Sequence, residues 1–194
     1  SWADFWDVRR FPGKRGIRKT PKYALEIALM GDGVPAAEIY PVLRTRAGVD
    51  RAFRKLDQLK PHVVWWSSVA QVPDLLGSGE VVMSVTSPGR LVVANRDEKR
   101  NFKLQWNGNI YAVDYWAILK NSPRKAQAMQ FNPFATPPEN PMDLARIMPT
   151  GLTNRAAQTA IEPRWRENTA TEPENMKRAL KLDGDFWVEY GDEL

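Results

Sequence analysis

Three places in this sequence put hydroxyl groups where an apolar run hands over to a helix start: Thr20-Pro21, Ser67-Ser68 and Ser87-Pro88. Hydroxyls at such junctions cap helices. In open α/β sheets the same junctions hold ligands, because helix N-termini there offer unpaired backbone N–H groups. Three junctions at one sheet edge favour a binding site over three isolated caps. A fourth feature is Asp114, set inside the apolar, aromatic run Ile110–Ile118. A carboxylate buried in such a run is costly unless it is paired or hydrogen-bonded. Either it meets an internal cation or a backbone group, or it faces a cleft and a cationic or hydroxylated ligand. Arg18, Lys19 and Lys22 cluster around the Pro21 helix start, which also admits an anionic or zwitterionic solute.

Other chemistries are poorly supplied. The 194 residues hold no cysteine and one histidine, His62, so disulfides and thiolate metal sites are excluded and a conventional triad has little to draw on. Nucleotide-binding, hydrolase and metalloprotease motifs are absent, and Gly31-Asp32-Gly33 reads as a helix end. The sequence is that of a non-enzyme with no cofactor. Net charge is +5, from 28 basic and 23 acidic residues, but the basic residues form no block, so nucleic acid is not an expected partner. No apolar run approaches the ~18–20 residues of a bilayer span. The chain begins at Ser1 with no visible leader and reads as processed or as a piece of something longer.

Elements must position these residues, and their order is that of an α/β fold. Ser1 caps a short aromatic helix with Trp2, Phe5 and Trp6, and Phe11-Pro12-Gly13 turns into a strand over 15–19. Thr20 caps a helix with Ala24, Leu25, Ala28 and Leu29 inward. A second helix spans 49–59 with Val49, Phe53, Leu56 and Leu59 inward, before a strand over 62–66. A helix over 72–76, a strand over 81–86 and a helix from Pro88 follow. Further strands are expected at 104–106 and 110–118; beyond about Ser122 only helices are expected.

The order of motifs resembles a known family. S-W-A-D-F-W-D at 1–7 and F-P-G-K-R at 11–15 are similar to the solute-binding proteins of ABC transporters, in their spermidine/putrescine branch. The likeness continues through G-S-G-E-V at 77–81, W-N-G-N-I-Y-A-V-D-Y-W-A-I at 106–118, A-T-P-P-E-N at 135–140, T-N-R-A-A at 153–157 and D-F-W-V-E-Y-G-D-E-L at 185–194. The resemblance implies a type 2 periplasmic binding fold, two α/β lobes that close on a solute by hinge motion. Residues 1–108 would be mostly lobe two, and 109–194 a crossing strand and the C-terminal helices of lobe one. The first half of lobe one, which precedes this opening in the family, would be absent.

Carried over by position, the resemblance puts Asp114 at a carboxylate for a ligand amine and Ser68, or Ser67, at a polar contact. It departs elsewhere. Thr20, Lys22 and Tyr23 stand where polyamine binders carry acidic residues, Ser87 and Ala112 where aromatics are expected, and Thr150 where a tyrosine is expected. Most of the carboxylates and aromatic faces that polyamines require are therefore replaced. The expectation is a periplasmic binding protein for a small polar or charged solute, with a membrane ABC permease as partner. The alternative is a homologue that folds, as a homo-oligomer, without binding solute.

Overall fold

A computed structural model describes all 194 residues. A three-stranded parallel sheet organises the first half, with β1 (Arg15–Arg18) between β2 (Val63–Trp66) and β3 (Met83–Ser84). Arg15 opposes Val63 and Met83, and Arg18 opposes Trp66, so all three strands run out at the same edge. Parallel pairing requires crossovers, and they are helical. One is built from α2 (Pro21–Gly31), α3 (Ile39–Leu43) and α4 (Arg46–Leu59), the other from α5 (Val72–Gly77). α6 (Pro88–Asp97) leaves the end of β3. The short helix α1 (Trp2–Trp6) carries the expected capping box, Ser1 with Asp4.

The main core joins Phe5, Ile17, Leu25, Leu29, Leu43, Leu59 and Phe186. α4 begins one turn earlier than its apolar pattern suggests, capped by the Thr45 hydroxyl. Its buried stripe runs Gly48, Ala52, Leu56, Leu59, and Phe53 is 41% exposed rather than inward. Gly48 explains the rotation, because a Cβ there would overlap the Val42 carbonyl. Only glycine lets α3 and α4 approach so closely, and that contact turns Phe53 outward.

Strands are shorter than the apolar runs that suggested them. Residues 104–106 are irregular; just before them, Asn95 donates to the Phe102 carbonyl at 2.9 Å and accepts from its N–H at 2.8 Å. Of 110–118 only β4 (Ile110–Tyr111) pairs, in parallel with an unexpected strand, β5 (Leu180–Lys181). β5 offers two residues, so the ladder stops and 112–118 continues without regular structure. The helical remainder comprises α7 (Lys125–Ala135), α8 (Glu139–Ile147), α9 (Arg155–Ala160), α10 (Pro163–Arg166) and α11 (Pro173–Met176). It has its own small core of Ala145, Leu152, Ala157 and Ile161. α12 (Gly184–Tyr190) instead packs with the first unit, where Leu180 and Phe186 join the main core.

Two buried polar groups tie distant segments to this frame. The fully buried Arg15 guanidinium donates to the carbonyls of Phe5 (2.8 Å), Asp7 (3.1 Å) and Gly13, fixing the segment that leads from α1 into β1. Glu26, buried in α2, accepts from the Tyr40 hydroxyl at 3.0 Å and from the Trp187 indole at 2.7 Å through Oε1, while Oε2 has no partner. Glu26 thus holds the C-terminal helix to the core across 161 positions. Burial, opposed by those hydrogen bonds, raises the Glu26 carboxyl above the usual carboxylate range.

A raised folded-state value means that folding favours protonated Glu26. Its contribution to stability is full below the ordinary carboxylate range and is lost as pH rises through the raised value. Urea midpoints of wild type and Glu26→Gln between pH 4 and 8 check this. Gln removes the ionisation but keeps an acceptor for Tyr40 and Trp187, so it should show the smaller loss of stability on going to pH 8. Equal pH dependence would contradict the assignment. Arg15→Met removes the donor to the buried Phe5 carbonyl and to the part-buried Gly13 carbonyl, while Asp7 keeps the Phe11 N–H, and should cost about 1–3 kcal/mol in the same measurement.

Candidate functional site

The common edge of the parallel sheet opens into a trough of about 2280 Å³. Sites that enclose a small molecule occupy ~300–1,000 Å³, so this is an open cleft and not a closed pocket. One wall comes from the strand ends and the helix starts that follow them: Arg18 and Tyr23 after β1, Ser67 and Ser68 after β2, Thr86 and Ser87 after β3. The rest of the lining comes from Asp114 and Trp116 on the irregular stretch after β4, and from Phe131, Phe134 and the loop Pro149–Asn154 of the helical remainder.

Of the residues singled out from sequence, Asp114, Ser67, Ser68, Ser87, Tyr23 and Thr150 line this one cleft, and Thr20 does not. The Thr20 hydroxyl donates to the Lys22 carbonyl at 3.1 Å instead of capping α2. The expected helix start is broken there: Lys22 has ψ 128° and Tyr23 has φ +73°, a left-handed conformation that costs a non-glycine residue ~1 kcal/mol or more. Regular helix resumes at Ala24, and Tyr23 is turned into the cleft. Burial and the negative charges of Glu26 and Asp114 raise its phenol, against the opposing effect of Arg18.

The serines differ in what they leave free. Ser67 and Ser68 both donate their backbone N–H to Gln71 Oε1, at 3.1 and 3.0 Å, and the Ser68 hydroxyl accepts from Ala70 at 3.4 Å. Ser68 is thus a cap, as its position before a turn of helix allows. Ser87 occupies the N-cap of α6 without a side-chain cap bond and is exposed. Thr150 is half-buried beside Gly151.

Asp114 is not the buried carboxylate that its apolar neighbours suggest. It is exposed on the irregular stretch after β4, so its ionised form keeps its water and needs no internal cation. Trp116 belongs to the aromatic run read from the sequence, but its partners Phe131 and Phe134 on α7 went unread. Trp116 meets Phe131 edge-on at 5.0 Å, and Phe131 lies 6.2 Å from Phe134. The i,i+3 pair Phe131/Phe134 on α7 was the available signal, obscured by Pro133 between them. No group of three or more His, Asp or Glu is placed to hold a metal, and no helix is long and apolar enough to cross a membrane.

Known proteins give this geometry a frame. A γ-aminobutyric acid-binding protein of Pseudomonas aeruginosa is 44% identical over the whole chain, which spans 55% of that protein. Among solved structures, the periplasmic binding protein MotA of A. tumefaciens B6 in complex with glucopine is 32% identical with a TM-score of 0.86. A GABA receptor is 30% identical with a TM-score of 0.83. The chain is covered in full by both and spans 60% and 58% of them. The fold is accordingly the α/β periplasmic-binding-protein fold, present over about 60% of the length of such structures. The polyamine branch is more remote than the motif order suggests. A spermidine/putrescine-binding protein from Streptococcus pneumoniae is 18% identical with a TM-score of 0.68, a likeness of fold alone. The family of bacterial extracellular solute-binding proteins, one of binding proteins and not of enzymes, matches residues 1–176, and this chain belongs to it.

Proposed function

We propose that this chain serves as solute-binding component of a bacterial ABC importer and that its cleft takes a small ω-amino acid of the γ-aminobutyrate type. The observation that carries this reading is a pair of opposite charges in one cleft. Arg18 and Asp114 both line it, and both lie close enough to Tyr23 to act on its phenol. A zwitterion with separated ends needs one cation for its carboxylate and one anion for its ammonium group. Trp116 and the Ile17, Val85 and Leu104 side chains on the same surface suit the methylenes between. The names of the 44%-identical relative and of the solved GABA receptor support the same class of solute.

A polyamine fits less well. It asks for a carboxylate at each ammonium end, and the cleft has two, Asp4 and Asp114. Asp4 already accepts from the Ser1 hydroxyl at 2.7 Å and faces Arg10 at 3.7 Å, which leaves Asp114 alone. In the proposed setting the protein works in the periplasm and delivers its solute to a membrane permease. Ser67, Ser68, Ser87 and Thr150 would add polar contacts around the solute, while Thr20 would act only through the helix start.

One observation favours a second reading, in which the chain self-associates and takes no solute. Tyr115, Trp116 and Leu119 are 84%, 71% and 82% exposed, an apolar surface suited to a partner.

Isothermal titration with γ-aminobutyrate, putrescine and spermidine tests the first reading, with γ-aminobutyrate expected to bind best. Asp114→Asn and Arg18→Gln should each weaken it about tenfold or more, since each removes a charged hydrogen-bond partner. Tighter putrescine binding, or no binding of any of the three, would defeat it. Sedimentation of the free chain separates the second reading, which requires an oligomer.

A further inference from the structure

Gly89 and Arg96 lie seven positions apart on α6, two turns, and so share a face of that helix. Both meet the end of α8. At Gly89 the approach is so close that a Cβ would stand 2.7 Å from Met148 Cγ and 3.1 Å from the Pro149 carbonyl oxygen. Two turns on, Arg96 Nη1 donates to the carbonyls of Arg146 at 3.3 Å and Ile147 at 3.1 Å. Those carbonyls belong to the last turn of α8, where backbone acceptors lack helical partners and the helix dipole is negative. The rest of the guanidinium is held by its neighbour: Nε and Nη2 donate to Asp97 at 2.6 and 2.9 Å. Asp97 thereby orients the group and leaves Nη1 to reach across.

This contact joins the two packing units. On α6, Leu91 is buried with Trp66 and Val72 against the sheet, whereas Ala145 of α8 sits in the separate helical core. Immediately beyond α8, Pro149, Thr150, Gly151 and Leu152 line the cleft, as does Ser87 at the start of α6. We infer that Arg96 is a positioning residue. With Gly89 as the close-contact point, it clasps the end of α8 to α6 and sets the place of the 149–152 wall. In the proposed function, on which this second step rests, the clasp governs how long a bound solute stays.

Arg96 is exposed on the surface, so its replacement spares both cores. Hydrogen exchange in the free chain is the primary test. Arg96→Gln should speed exchange of the Met148 and Leu152 amides, which donate to the Leu144 carbonyl and the Thr171 hydroxyl, with the urea midpoint unchanged. Arg96→Lys, which can still reach a helix C-terminus, should restore much of the protection. Unchanged exchange in Arg96→Gln, or a fall in urea midpoint that accounts for the faster exchange, overturns the clasp. Stopped-flow release of γ-aminobutyrate should then quicken about two- to tenfold, the effect of one or two exposed charge-assisted hydrogen bonds. Unchanged release together with faster exchange overturns the control of retention. If wild type takes no γ-aminobutyrate, the proposed solute fails, and exchange still decides the clasp.

Discussion

Parallel pairing of β1 with β2 on one side and β3 on the other is the constraint on which the rest of this molecule depends. A parallel ladder runs all its strands in one direction, so their carboxyl ends meet at one edge, and the chain must return by helices that start from that edge. Arg18, the Ser67-Ser68 pair and Ser87 are far apart in sequence yet come to one place because each stands at or just beyond the end of such a strand. The cleft wall is therefore a consequence of strand direction. No direct bond among these residues is needed to gather them.

The frame around the sheet is secured by two buried polar groups, Arg15 and Glu26. Arg15 is solvated by three backbone carbonyls in place of water, which offsets the cost of burying a cation without a carboxylate partner. Glu26 receives two side-chain donors at a single oxygen and leaves the other without a partner, a choice that ties α12 to α2 at the cost of an acidic group shifted toward its neutral form. Between these anchors lies the left-handed Tyr23, one turn from Glu26, where local strain turns an aromatic ring toward the cleft. The same helix thus carries the stability of the core on one face and part of the candidate site at its start.

Much of this was legible from residue types. Ser1 as a cap, the helix ending at Gly31-Asp32-Gly33, the strands at 15–18 and 63–66 and the helix from Pro88 follow from capping chemistry and apolar runs, which act over a few residues. The failures share a physical cause. Phe53 faces outward because Gly48 lets two helices meet, and 112–118 is not a strand because a ladder needs a partner of matching length. β5 escaped notice because a two-residue strand has no periodicity to read. The broken first turn at Lys22 and Tyr23 was equally invisible, since Thr-Pro is an ordinary helix start by composition.

By itself the sequence determined the class of molecule: an α/β chain without cysteine chemistry or catalytic motifs, with hydroxyl-bearing junctions and a motif order pointing to solute binding. Such properties reside in residue identity and short-range spacing, which need no neighbour to express them. Tertiary structure alone decided that six of seven candidate residues share a cleft while Thr20 turns back on its own helix. It also decided that Asp114 stands in solvent and that α6 meets the end of α8. The contact of α6 with α8 joins segments 50 or more positions apart, and it is fixed by which backbones can approach one another, as at Gly89, where a Cβ would stand 3.1 Å from the Pro149 carbonyl oxygen.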